Sequence, residues 1–111
     1  MDKATKITEL KEIYISPLTY KLVFEDEPKM TPEGDYSAYT DNENLKLVIK
    51  RSLAKGKMEV TILHEVLHAI LIQAGLNLDE DDDSFYEQMI EVLSHSLLAL
   101  IKNNPNFIKL L

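Results

Sequence analysis

Met58-Glu59-Val60-Thr61-Ile62-Leu63-His64-Glu65-Val66-Leu67-His68-Ala69-Ile70 is the stretch on which the reading of this chain turns. Met58, Ile62, Val66 and Ile70 recur every four residues, with Leu63, Leu67, Leu71 and Ala74 beside them. That spacing makes one broad apolar face of an α-helix. Gly75 stands where a helix C-cap is expected, so the pattern predicts a helix over roughly residues 57–74. His64 and His68 border the stripe on one side. Residues four apart lie one turn above each other on the same face. Two imidazoles placed so can bind one tetrahedral Zn²⁺ from a single rigid element. Glu65 sits a step further round, where its carboxylate can take a proton from a zinc-bound water.

Composition narrows the chemistry. A chain of 111 residues with 45% hydrophobic residues is expected to form one small domain, residues 1–111. It has no cysteine, which excludes disulfides, thiolate ligands and a cysteine nucleophile. Any metal site must use His, Asp and Glu. The net charge of −7 argues against nucleic acid, whose phosphates call for a basic face. The cluster Lys50, Arg51, Lys55 and Lys57 is too short to reverse this and reads as a solvated loop. Nothing after Met1-Asp2-Lys3 resembles a signal peptide, and no apolar run approaches the roughly 18 residues of a membrane span. The expected home is the cytoplasm.

Outward from the motif, the chain divides into a strand-forming first half and a helical second half, an α+β pattern with about three to four strands in a small antiparallel or mixed sheet. Residues 11–16 read as a strand closed by Pro17. Leu18, Tyr20, Leu22 and Phe24 alternate with less apolar neighbours and predict a second strand over 18–25. Residues 26–34, with Pro28, Pro32 and Gly34, read as a loop. Residues 35–40 and 45–50 read as a third and fourth strand, joined as a hairpin across Asp41-Asn42-Glu43-Asn44. The fourth strand is expected at the sheet edge. A second helix is expected over about 84–103, with Phe85, Met89, Val92, Leu93, Leu97 and Leu100 as its buried face and Asn103-Asn104-Pro105 as its stop. The apolar tail, Phe107 to Leu111, is expected to dock on the body or on a partner.

Catalytic zinc needs a third protein ligand. A three-histidine continuation, H-E-x-x-H-x-x-G-x-x-H, would place Gly and His where this chain has Leu71 and Ala74, so it fails. The second helix offers Glu87 and Glu91, four apart on one face. A short connection makes the two helices antiparallel, which brings either glutamate toward His64 and His68. Glu87 is the first choice and Glu91 the substitute. Ser84-Phe85-Tyr86-Glu87 also reads as a capping box, which would give Glu87 a structural task instead. His95 is read as a partly exposed structural residue that could alternatively support a ligand. The acidic run Asp79–Asp83 lacks the glycine and closing glutamate of a calcium loop and reads as a solvated linker.

With an early strand hairpin (Glu12–Glu25), a second strand pair (Gly34–Lys50), Leu63-His64-Glu65-Val66-Leu67-His68 and then Glu87-Gln88-Met89-Ile90-Glu91, the chain resembles the small zincin-like proteins of phages and prophages related to the ImmA/IrrE metallopeptidases. The resemblance implies a gluzincin-like core, zinc held by His64, His68 and Glu87, and Glu65 as general base. It also implies a peptide or protein substrate, such as a phage or mobile-element repressor. The chain departs from that pattern at Leu67, where the family often has glycine, and at Ile90-Glu91.

Two functions are therefore expected in competition. One is a zinc metallopeptidase that seats an extended peptide on the strand at 45–50, with Lys46, Lys50 and Arg51 favouring acidic substrates. The other is an inactive interaction module with structural or vestigial zinc.

Overall fold

The computed structural model describes residues 7–31, 34–76 and 83–111. The architecture is α+β, with a four-stranded mixed sheet carrying two long helices. Strands β1 (Glu12–Ile15) and β2 (Leu18–Glu25) form an antiparallel hairpin turned at Ser16-Pro17, with Ile13 opposite Tyr20. Next come β3 (Lys29–Thr31) and β4 (Gly34–Tyr36), paired with each other as a separate hairpin. Strands β5 (Ala38–Asp41) and β6 (Lys46–Lys50) form the third antiparallel pair. β6 inserts parallel to β2, with Leu22 opposite Leu47 and Phe24 opposite Ile49, and the sheet order is β1-β2-β6-β5.

Three sequence expectations change here. The loop expected over 26–34 contains β3. The third strand is divided at Ser37, so that its first part belongs to the side hairpin and only its second part to the main sheet. The fourth strand is internal, and the edge strands are β1 and β5. Leu47, Val48 and Ile49 are all buried. An uninterrupted apolar run of this kind marks a strand covered on both faces, whereas alternation of Leu47 and Ile49 alone suggests a half-exposed one. Leu45 lies outside β6, in the turn, with a left-handed φ of 54°.

Register puts Ile13, Ile15, Tyr20, Leu22, Leu47 and Ile49 on one face of the sheet. Helix α1 (Lys55–Gln73) lies across that face and contributes Met58 and Ala69 to the core, with Ile62 and Val66 packed against it. The fully buried Tyr20 ties the layers together: its hydroxyl donates to Asn42 Oδ1 (3.1 Å) and accepts from Gln73 Nε2 (2.8 Å). α1 ends as its sequence predicts. Gly75 has φ +87°, its N–H bonds to the Ile72 carbonyl, and the Leu76 N–H bonds to the Leu71 carbonyl. This is the Schellman arrangement, in which a residue without Cβ takes the left-handed position.

Helix α2 (Asp83–Asn103) packs on α1, and the short α3 (Pro105–Lys109) follows. The helices run antiparallel, because Glu87 near the start of α2 meets the histidines of α1 while Lys102 near its end reaches Glu59 at 2.6 Å. The buried residues of α2 are Ile90 and Ser94. The expected buried face is corrected: Phe85, Met89, Val92, Leu93 and Leu100 are exposed, Phe85 at 71%. At about 100° per residue, the face that meets α1 is turned by about 100° from the strongest apolar stripe. One neighbouring helix covers only part of so wide an apolar arc. The tail does not dock closely either, with Leu110 and Leu111 84% and 88% exposed. Among the described residues no helix is long and apolar enough to cross a membrane. The acidic run at 79–82 and the N-terminal residues 1–6 lie outside the described residues.

Candidate metal centre

α1 is covered by the sheet on one side and by α2 on another. Between these contacts it presents His64, Glu65 and His68 to a groove whose opposite wall is β5. His64 Nε2 and His68 Nε2 stand 3.2 Å apart. From α2, Glu87 places Oε2 3.2 Å from His64 Nε2 and Oε1 2.8 Å from His68 Nε2. Ligands about 2.0–2.2 Å from a tetrahedral ion are separated by about 3.3–3.6 Å. The observed spacings lie near that, and Glu87, with its side chain 46% exposed, is the member free to adjust. The three residues form a group that can hold a metal ion.

The second glutamate resolves differently. Glu91 Oε2 lies 3.1 Å from His64 Nδ1, the ring nitrogen remote from the cluster, and its other oxygen is 3.0 Å from His95 Nε2. If Nδ1–H donates to Glu91, the Nε2 lone pair is left facing the centre. Glu91 thus sits where it can orient the His64 ring, and Glu87 is the carboxylate that reaches both Nε2 atoms. The capping-box alternative fails for a physical reason: α2 begins at Asp83, so Ser84 is already helical, and the Glu87 carboxylate is engaged by the histidines. Tyr86 stands edge-on to the His68 ring, with centroids 5.3 Å apart.

Glu65 points from α1 toward β5 and is only 7% exposed. Thr40 Oγ1 donates to its Oε1 at 2.8 Å. Burial raises the Glu65 pKa above its ordinary value, while the Thr40 hydrogen bond and the nearby imidazoles oppose that rise. A carboxylate that is desolvated yet held by one hydroxyl is a stronger base toward a groove-side proton than one free in water.

Thr40 has no signature in the sequence. Its place depends on two long-range facts, the β5–β6 register that sets Thr40 opposite Leu47 on the helix-facing side and the docking of α1. His95 is exposed, and its Nε2 lies 3.0 Å from Glu91 Oε1. Of the cations expected to attract substrate, Arg51 is committed to Asp26 and the Phe24 carbonyl, and Lys46 and Lys50 lie on the internal strand.

Two openings flank the centre. One, about 490 Å³, is lined by Ala38, Tyr39, Thr40, His68, Ile72 and Glu87 together with His64 and Glu65. The other, about 170 Å³, is lined by Ser37, Lys57, Thr61 and Glu91 and shares Ala38, His64 and Glu65 with the first. Both lie beside β5, and Ala38, His64 and Glu65 stand between them. Comparison with protein-family models, with curated proteins and with solved structures gives no match to the chain.

Proposed function

We propose that this protein is a zinc-dependent peptidase whose centre is His64, His68 and Glu87 and whose general base is Glu65. The observation that carries the reading is the convergence of two imidazole Nε2 atoms and one carboxylate beside a buried, hydroxyl-held second carboxylate. Zinc is the metal that suits this donor set, two borderline nitrogens and one hard oxygen without thiolate. When bound, it would lower the pKa of a coordinated water to about 7 and polarise a carbonyl. Glu65 accepts the proton of the attacking water and returns it to the leaving amine. Thr40 holds the Glu65 carboxylate in place, and Glu91 keeps His64 in the tautomer whose Nε2 faces the centre.

The edge of β5 that pairs with no strand among the described residues supports a peptide substrate. An edge strand offers unpaired backbone groups to an extended chain, and this one forms the wall of the groove beside Glu65. The resemblance to the ImmA/IrrE metallopeptidases agrees with this reading and suggests a phage or mobile-element repressor as the substrate protein. A second reading, an interaction module with a structural metal, is favoured by the exposed apolar residues of α2 and the tail.

The deciding experiment compares zinc-loaded wild type with Glu65→Gln on a mixture of peptides. Hydrolysis that is lost in the variant while zinc is retained is expected. Retained zinc with no hydrolysis in the wild type would favour the interaction module.

A further inference from the structure

Resting on that reading, we infer that the smaller opening of the groove binds a carboxylate of the substrate, so that the preferred peptides carry an acidic group beside the scissile bond. The opening adjoins His64 and Glu65, and Lys57, Thr61 and Ser37, one cationic and two hydroxyl-bearing residues, line it. Its volume of about 170 Å³ equals roughly five to six water molecules, room for one short side chain. Lys57, Thr61, His64 and His68 follow one another along one side of α1, so the cation sits on the same line as the metal ligands.

Charge gives Lys57 its significance. Arg51 and Lys102 pair with Asp26 and Glu59, whereas Lys57, like Lys46, Lys50 and Lys55, has no ion pair among the described residues, and it is the lysine that lines the groove. It also stands in the first turn of α1, which holds no acidic residue. A cation there is opposed by the helix dipole, so helix stability does not account for it. The groove is otherwise acidic, with Glu65, Glu87 and Glu91 on its walls. Glu91 is occupied by His64 and His95. Apart from the metal itself, a substrate carboxylate therefore has one favourable place, the Lys57 end. The opposite end, where Ile72 lines the larger opening, has no lysine or arginine among the described residues.

Direction follows from pairing. A peptide that pairs with β5 antiparallel, as β6 does on its other side, runs against Ala38 to Asp41, so its C-terminal part lies toward Ser37 and Lys57. The acidic group then belongs to a residue on the C-terminal side of the scissile bond.

The test uses zinc-loaded full-length Glu65→Gln protein, which binds without cutting, and fluorescent peptide series measured by polarisation. One series varies Glu against Gln at each position in amidated peptides. A second presents a free C-terminal carboxylate at the same positions in otherwise neutral peptides, which separates a side-chain source from a chain terminus. An acidic peptide is expected to bind roughly three- to tenfold more tightly than its neutral counterpart, less so at high salt. In the Lys57→Glu background the preference should invert toward a Lys-containing peptide. An unchanged Glu-to-Gln ratio in Lys57→Glu and Lys57→Met overturns the inference while leaving the peptidase reading intact. Failure of every peptide to bind, with none cut by zinc-loaded wild type, overturns both.

Discussion

Thr40 and Glu65 meet across the boundary between the edge strand and the motif helix, with hydroxyl and carboxylate 2.8 Å apart. The contact joins the groove wall to the proposed base, and it makes the position of a buried charge depend on one small side chain. Replacing Thr40 by Val keeps the shape and removes the donor. The cost is expected at about 1–3 kcal/mol in the metal-free protein, the price of leaving a buried carboxylate unpaired. Peptide hydrolysis should fall by roughly 10- to 100-fold. Thr40→Ser should restore most of both. Chemical denaturation and turnover of the three proteins check this, and equal stability of Val and wild type would contradict it.

Glu65 itself is costly to bury. Its pKa is raised by desolvation, so the folded protein disfavours the charged form and, in the absence of metal, loses stability as pH rises above about 4.5. Glu65→Gln retains an acceptor for Thr40 and carries no charge. Chelator-treated Glu65→Gln is expected to melt above chelator-treated wild type at neutral pH, with the difference shrinking at pH 4. Thermal melts across that range measure it.

Metal should bind the folded state and stabilise it. At zinc concentrations about 100 times the Kd the gain is about 2.7 kcal/mol. His64→Ala and Glu87→Gln should abolish it. Glu91→Gln should behave differently, weakening affinity by about 10- to 100-fold without removing the site, because Glu91 touches the remote nitrogen of His64. Competition with a chromogenic chelator separates the two classes, and an Glu91 variant as empty as the Glu87 variant would assign the ligand wrongly.

Asp41 closes the β5–β6 turn by accepting from the Asn44 backbone N–H at 3.1 Å and its side-chain amide at 3.0 Å. Those bonds lower its pKa below the ordinary value. A depressed carboxylate contributes stability above its unfolded pKa, near 3.8, and loses that contribution as pH falls through the folded value. Asp41→Ala should therefore flatten part of the acid limb of the stability curve below pH 4, read by circular dichroism during acid titration. An unchanged limb would show that the turn is held by other means.

Much of the frame could be read directly from residue order. The period-four stripe from Met58, Gly75 and the Asn104-Pro105 stop mark the helices because each signal is local. The central placement of β6 was hidden because Leu47-Val48-Ile49 fits both an alternating strand and one buried on both faces. The contact face of α2 is not legible in the sequence, because its apolar arc is wider than its contact. Ile90 and Ser94 are buried, while the apolar Phe85 and Val92 of the same helix are 71% and 59% exposed. At the site, the histidine pair and Glu87 were legible from helical spacing. Choosing Glu87 over Glu91 required atoms, since both lie on the same face and differ only in which imidazole nitrogen they reach. Thr40 and Lys57 became meaningful only when the edge strand was set against the helix.

The central claim is that His64, His68 and Glu87 hold one metal ion. Crystals of the protein grown with zinc, with anomalous differences collected on both sides of the zinc edge, test it most directly. One peak per chain is expected, about 2.0–2.2 Å from His64 Nε2, His68 Nε2 and a Glu87 oxygen, with Glu91 still on His64 Nδ1. A peak coordinated by Glu91 instead of Glu87, or no peak between the two histidines, would contradict it.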